Sequence, residues 1–120
     1  MSKTRRTRSR LAAFAAQHGL CYYCRMPIWL ENPDGFQDQW NLARADTWDR
    51  RCTAEHLVSR KDGGGDGPEN IAAACTKCNQ GRHARKAPME PDAFARYVRA
   101  RVRQGRWHQP RVLRAFVAYV

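Results

Sequence analysis

The sequence predicts a small α+β fold, with two short strands and a helix at its centre and further helices flanking them. Three observations predict it. Two Cys-x-x-Cys pairs, Cys21-Tyr22-Tyr23-Cys24 and Cys75-Thr76-Lys77-Cys78, stand 50 residues apart. Between them, a β-branched, alternating stretch is followed by a glycine-rich loop and a short apolar run, the pattern of two paired strands. The last third has helical periodicity: Phe94, Tyr97, Val98 and Val102 share one face, and Arg96, Arg99, Arg103 and Arg106 line the opposite one.

Each element follows from local composition. Residues 1–10 carry five basic and no acidic side chains and read as a disordered basic arm. Residues 11–18 suit a short alanine-rich helix that Gly19 can end. Residues 21–24 form a knuckle. Residues 27–50 hold Trp29, Trp40 and Trp48 and a turn signal, Pro33-Asp34-Gly35, with no firm secondary structure. The aromatics there are expected in the core. Residues 51–58 read as a strand, 59–68 as a loop that Gly63-Gly64-Gly65 lets reverse, 71–74 as the returning strand and 78–86 as a helix. A final helix begins after Pro110, with Val112, Leu113, Phe116, Val117 and Val120 as its apolar stripe. The expected organisation is an arm over 1–10, one unit over 11–87 containing both knuckles, and a helical extension over 88–120 packed on that unit.

Charge bounds the partners. The 120 residues carry a net charge of +11. Residues 81–120 hold ten basic and two acidic side chains, 11–50 hold three and five, and 51–80 hold four of each. Two basic ends around a neutral centre suit a polyanion gripped on either side of a working site. No run reaches transmembrane length, and the apolar stretch at 11–16 is too short for a signal peptide. The cytoplasm is the expected compartment, with the cysteines reduced and available as metal thiolates.

A chain this short is near the limit of what folds without help, and a metal staple is expected on size alone. A Cys-x-x-Cys turn presents two thiolates, so Cys21, Cys24, Cys75 and Cys78 complete the tetrahedral set of a structural Zn²⁺. A redox Cys-x-x-Cys normally occurs once, in an α/β context absent here. Cys52 is left over as a buried thiol.

The second pair is threaded through residues with reactive chemistry. Hydrolysis of a phosphodiester requires deprotonation of water, stabilisation of charge on phosphate and neutralisation of the leaving oxygen. His56 suits the first need, its ordinary pKa lying near neutrality. Glu55 precedes it, and on a strand the two point to opposite faces unless the strand twists or ends there. Asn79 and His83 are four apart and on a helix share a face, so they could bind one ion. Asn70 could hold the loop or orient His56. Taken singly, each has an ordinary role as surface carboxylate, turn residue, helix cap or solvated helix face. Their joint order around a zinc knuckle points to a reaction.

Residues 52–86, with the knuckle at 21–24, resemble the zinc-stapled HNH endonucleases. That family's pattern is Cys-x-x-Cys, an acidic residue or His followed by His, a Gly-Gly loop, Asn, and Cys-x-x-Cys-Asn or Cys-x-x-Cys-His. Here it reads Glu55-His56, Gly63-Gly64-Gly65, Asn70 and Cys75-Thr76-Lys77-Cys78-Asn79. The resemblance implies a ββα-metal core and a metal-dependent DNA endonuclease, nicking or cutting both strands. It implies His56 as general base, Asn70 as the residue positioning loop and base, and Glu55 and Asn79 as ligands of the catalytic cation. In some relatives a histidine four residues on also binds it, and His83 holds that place. Hard ligands imply Mg²⁺ or Mn²⁺; His83 would also admit Ni²⁺ or Zn²⁺. Glu stands where the family more often has Asp or His, and Ser59 where proline is common.

Expected partners are DNA phosphates, met by the basic arm, by the C-terminal basic helix face, and by Lys77, Arg82, Arg85 and Lys86. A monomer or weak dimer without membrane contact, in a phage or bacterial setting, fits this reading. The competing reading is a zinc-stabilised nucleic-acid-binding module without turnover.

Overall fold

The structure is a computed structural model that describes residues 4–120. Helix α1 spans Arg5–Ala16. Thr4 caps it, its Oγ1 accepting from Thr7 N at 3.1 Å. The chain reverses through His18 and Gly19, both with positive φ, and Gly19 N donates to Phe14 O at 2.9 Å. The expected disordered arm is therefore corrected. Residues 5–10 form the first turns of α1, and Ser9 is buried there; Met1, Ser2 and Lys3 lie outside the described residues.

Helices α2 (Pro33–Trp40) and α3 (Arg44–Asp49) occupy the tryptophan-containing segment. Pro33-Asp34-Gly35 is not a free turn. Asn32 caps α2 through a bond from Gly35 N at 3.0 Å, and Pro33 sits in the first helical turn, where its missing N–H costs nothing. Strands β1 (Cys52–His56) and β2 (Ile71–Cys75) pair antiparallel, with Cys52 opposite Cys75 and His56 opposite Ile71. A single 3₁₀ turn, Arg60–Asp62, punctuates the loop between them. Helix α4 (Thr76–His83) follows β2 directly.

β2 is buried along its whole length, which its alanines permit by letting α1 approach closely. Gln17 of the α1 C-cap closes its outer edge: Nε2 donates to Ala73 O at 2.8 Å, and Oε1 accepts from Ala73 N at 3.0 Å. Helix α5 (Pro91–Arg103) buries Phe94, Val98 and Val102, the face its periodicity predicts. Phe94 meets Tyr23 edge-on at 5.0 Å between centroids. Arg99 departs from the expected solvent face, donating to the Tyr23 and Tyr22 carbonyls at 3.2 and 3.3 Å. Helix α6 (Pro110–Ala115) is tied to α3 by the Arg111–Asp46 ion pair and buries Val112, with Phe116 just beyond. The expected stripe stops there. The helix ends at Ala115, its period lapses, and Val117 and Val120 face solvent. Trp29 is buried as expected, whereas Trp48 is 42% exposed. No helix among the described residues is long and apolar enough to cross a membrane.

The loop between the strands tests this packing. A Cβ on Gly64 would lie 1.8 Å from Val58 O, whereas one on Gly65 would meet nothing within 4 Å. Gly64→Ala is expected to cost about 1–3 kcal/mol, and Gly65→Ala less than about 0.5 kcal/mol, as read by denaturant unfolding.

Candidate active site and metal centre

The first knuckle follows α1, with Cys21 N donating to Met26 O and Arg25 N to Cys21 O, both at 2.9 Å. Cys75 ends β2 and caps α4, its sulfur accepting from Cys78 N at 3.3 Å. These two local structures bring the ligand atoms of Cys21, Cys24, Cys75 and Cys78 within 4.8 Å of one another, all buried, so that they could hold a metal ion.

Their surroundings fit an anionic sulfur cluster. Cys75 N donates to Cys21 Sγ and Trp107 Nε1 to Cys78 Sγ, each at 3.3 Å. Arg50, 1% exposed, aims Nη2 and Nη1 at Cys24 Sγ from 3.5 and 3.6 Å. Its Nε and Nη2 also donate to Pro27 O, and no described carboxylate pairs with it. A buried guanidinium without a carboxylate needs another anion, and four thiolates around a divalent cation carry two negative charges. Burial opposes ionisation of Cys24, but bonds from Cys21, Cys75 and Cys78 and the charge of Arg50 hold its thiol well below the ordinary value. Burial holds the Cys75 and Cys78 thiols well above theirs, so without a metal the negative charge gathers beside Arg50. Cys52, outside the cluster, is pushed up to about 11 by burial and stays a protonated core thiol.

The second constellation lies where α4 crosses β1. Thr53 and Glu55 share the strand face that α4 covers. Asn79 Nδ2 donates to Thr53 Oγ1 at 2.9 Å, and one turn later His83 Nε2 meets Glu55 Oε1 at 2.8 Å. Glu55 is 1% exposed. Its Oε2 accepts from Tyr23 Oη at 2.8 Å and from Arg82 Nη1 at 3.3 Å. Burial, and next the carboxylate beside it, raise the Tyr23 hydroxyl above its ordinary range, so it stays a donor. With Oε2 engaged, Oε1 is the atom left to a cation. Ligand atoms about 2.1 Å from one ion and at right angles lie about 3 Å apart, so the Glu55–His83 separation fits a shared ion. The amide nitrogen of Asn79 rests on Thr53, which leaves Oδ1 as the atom it could offer a cation.

His56 ends β1 and points elsewhere. Its Nε2 lies 2.8 Å from Asp66 Oδ1, and Arg60 Nη2 reaches both Asp66 oxygens at 3.1 Å. The bond from His56, and beyond it the Arg60 charge, hold the Asp66 carboxyl below its usual range. Asn70 pins the loop: Nδ2 donates to Val58 O and Gly65 O at 3.0 and 2.9 Å, and Oδ1 accepts from Val58 N at 2.8 Å.

Five site residues expected from sequence therefore fall into two groups. Glu55, Asn79 and His83 converge on the β1–α4 face, while His56 and Asn70 belong to the strand end and loop. Tyr23, Arg50 and Trp107 escaped sequence reading because each acts across a distance in sequence with no spacing signal, and Asp66 because a carboxylate in a glycine-rich loop has the look of a solvated charge. Arg82 is corrected. It was expected at substrate phosphates, but it is buried, donating to Glu55, to His56 O and Leu57 O, and through Nε to Met89 O. The exposed charge lies elsewhere. Arg6, Arg10 and Arg51 line a cleft of about 400 Å³ along β1, together with Thr53 and without a carboxylate. A second groove, of about 680 Å³, runs past His83 between Lys61, Arg85 and Lys86.

The buried cation of the sulfur cluster can be tested directly. Arg50→Met is expected to destabilise the protein by about 3 kcal/mol. Arg44→Met, which removes an exposed pair with Asp34, should cost less than about 1 kcal/mol. Thermal unfolding of both variants measures the contrast.

Residues 40–85 match the family model described as HNH endonuclease. No curated protein and no solved structure matches the chain. The matched segment runs from the end of α2 through α3, β1, the loop, β2 and α4, and so contains both constellations except the first knuckle and Tyr23. This match and the strand–loop–strand–helix geometry support assigning the segment to the HNH endonuclease family.

Proposed function

We propose that the protein is a metal-dependent endonuclease that hydrolyses phosphodiester bonds in DNA. The observation that carries this reading is the approach of Glu55 and His83 to 2.8 Å, with His56 at the end of the same strand. Glu55, Asn79 and His83 would hold a divalent cation, Mg²⁺ or Mn²⁺ by the hardness of the oxygen donors, with Ni²⁺ or Zn²⁺ admitted by His83. When bound, it supplies charge stabilisation at the phosphate and the leaving oxygen. His56 takes the proton of the attacking water; the new P–O bond forms as the bond to the leaving oxygen breaks. Asn70 keeps the loop, and with it the end of β1, in place. Cys21, Cys24, Cys75 and Cys78 hold a structural Zn²⁺.

DNA phosphates would enter along the arginine-lined cleft and the groove past His83. The cleft borders Thr53, two residues from Glu55 on the same strand face. Helix α1, rather than a disordered arm, then presents the N-terminal arginines, and the inward turn of Arg99 reduces what the C-terminal helix can offer.

One observation favours a second reading, a zinc-stabilised nucleic-acid-binding module without turnover. Glu55 already has Arg82 and Tyr23 as partners and is satisfied within the protein.

A plasmid-nicking assay at low salt separates the two. Wild type should nick only with added Mg²⁺ or Mn²⁺, and His56→Ala should nick about 10²–10⁴-fold more slowly, with protein zinc content unchanged. Zinc-loaded wild type that shifts the plasmid yet never cuts it under any divalent ion leaves the binding module. Replacing Arg6, Arg10 and Arg51 by Gln should flatten the salt dependence of DNA binding, by roughly one in slope per lost phosphate contact.

A further inference from the structure

The proposed base has two ring nitrogens, and which one takes the proton depends on what holds the other. We infer that Asp66 is the positioning residue of His56, binding its Nε2–H and leaving Nδ1 bare toward water. This rests on the nuclease reading above and extends it to a residue outside the motif.

The hydrogen-bond chemistry decides the tautomer. A carboxylate only accepts, so the 2.8 Å contact between Asp66 Oδ1 and His56 Nε2 places a hydrogen on Nε2. Arg60 Nε also points at Nε2, from 3.5 Å, and would need a lone pair there. The shorter, charge-assisted bond prevails. Arg60 instead fixes Asp66, its Nη2 reaching Oδ1 and Oδ2 at 3.1 Å each.

The backbone of Asp66 is held from two further directions. Ser9, buried in α1, donates from Oγ to Asp66 O at 2.7 Å. Asn70 donates to Gly65 O, one residue earlier, at 2.9 Å. Asn70 bonds Val58 and Gly65 rather than the His56 ring, and is linked to that ring through the loop that carries Asp66. Arg60 thus holds the carboxylate, and Ser9 and Asn70 the backbone that carries it, where a charge serving only solubility would need none of them.

Asp66→Asn is the diagnostic variant because it keeps shape and packing. Arg60 Nη2 lies 3.1 Å from both oxygens, so the amide can keep its oxygen on Arg60 while it turns its NH₂ to His56. That NH₂ would donate to Nε2, force the ring proton onto Nδ1 and block the basic lone pair. Long-range ¹H–¹⁵N spectra of the full-length, zinc-loaded protein read the tautomer without needing turnover. Wild type should show Nε2–H, Asp66→Asn should show Nδ1–H, and Asp66→Ala a mixture. In nicking assays with Mg²⁺, Asp66→Asn should lower kcat about 100-fold with KM changed less than about threefold, and Asp66→Glu should recover the Nε2–H form and part of the rate. An Nδ1–H tautomer in the wild type, or an Asp66→Asn protein that nicks at the wild-type rate, overturns the inference. A wild type that shows the Nε2–H form but never nicks overturns the nuclease reading, and the catalytic role of Asp66 falls with it; the tautomer spectrum tells these failures apart.

Discussion

Four sulfurs lie within 4.8 Å of one another, contributed by two segments far apart along the chain. One pair sits in a turn after α1, the other at the junction of β2 and α4, and the first turn of α4 is capped by one of the sulfurs itself. The direction in which α4 leaves the sheet is thereby tied to the cluster, and that direction decides what Asn79 and His83 face. Arg50, Trp107 and two backbone N–H groups supply donors to the sulfurs, so the protein meets the cluster with donors in place of water. Phe116 lies 5.5 Å from the Arg50 guanidinium, and through it the C-terminal segment also depends on the cluster.

The β1–α4 face shows a second constraint. Glu55 is a carboxylate removed from water, and its oxygens are divided between two kinds of partner. Tyr23 and Arg82 hold one oxygen and fix the rotamer; the other faces His83. A carboxylate fixed in this way would need little reordering to meet a cation. Arg82 serves a further end by closing the carbonyls of His56 and Leu57, where β1 stops and its backbone would otherwise lack partners.

How much of this could be read beforehand follows from distance along the chain. The cysteines, Glu55, His56, Asn70, Asn79 and His83 were legible because their spacings are short and tied to strand or helix periods. The strands and α4 were placed within a few residues for the same reason. Asp66 was invisible as a partner because a carboxylate in a glycine-rich loop looks like any solvated charge. Arg50 and Tyr23 reach their partners across 26 and 32 residues, and no period encodes such contacts. α2 went unread because Pro-Asp-Gly serves equally as a turn and as the first turn of a capped helix; the Asn32 cap, a tertiary-independent signal, was the clue. The N-terminal arginines were read as an arm on charge alone, although Thr4 offers a cap and α1 finds a sheet to lie on.

The span enclosed by the cluster also bears on how the chain comes into being. Fifty residues separate the inner cysteines, and closing a loop of that length costs about 3.5 kcal/mol of chain entropy, taking 1.5RT ln n. During synthesis the first knuckle emerges early, with two sulfurs and no complement. β1 follows and must wait for β2, so its half of the sheet has nothing to pair with until residue 75 is out. The complete set of four sulfurs, the sheet and the helix then become available within a few residues of one another. Assembly is thus concentrated into one late event, and a nascent chain short of Cys78 has no means of completing the four-sulfur cluster or the face between β1 and α4.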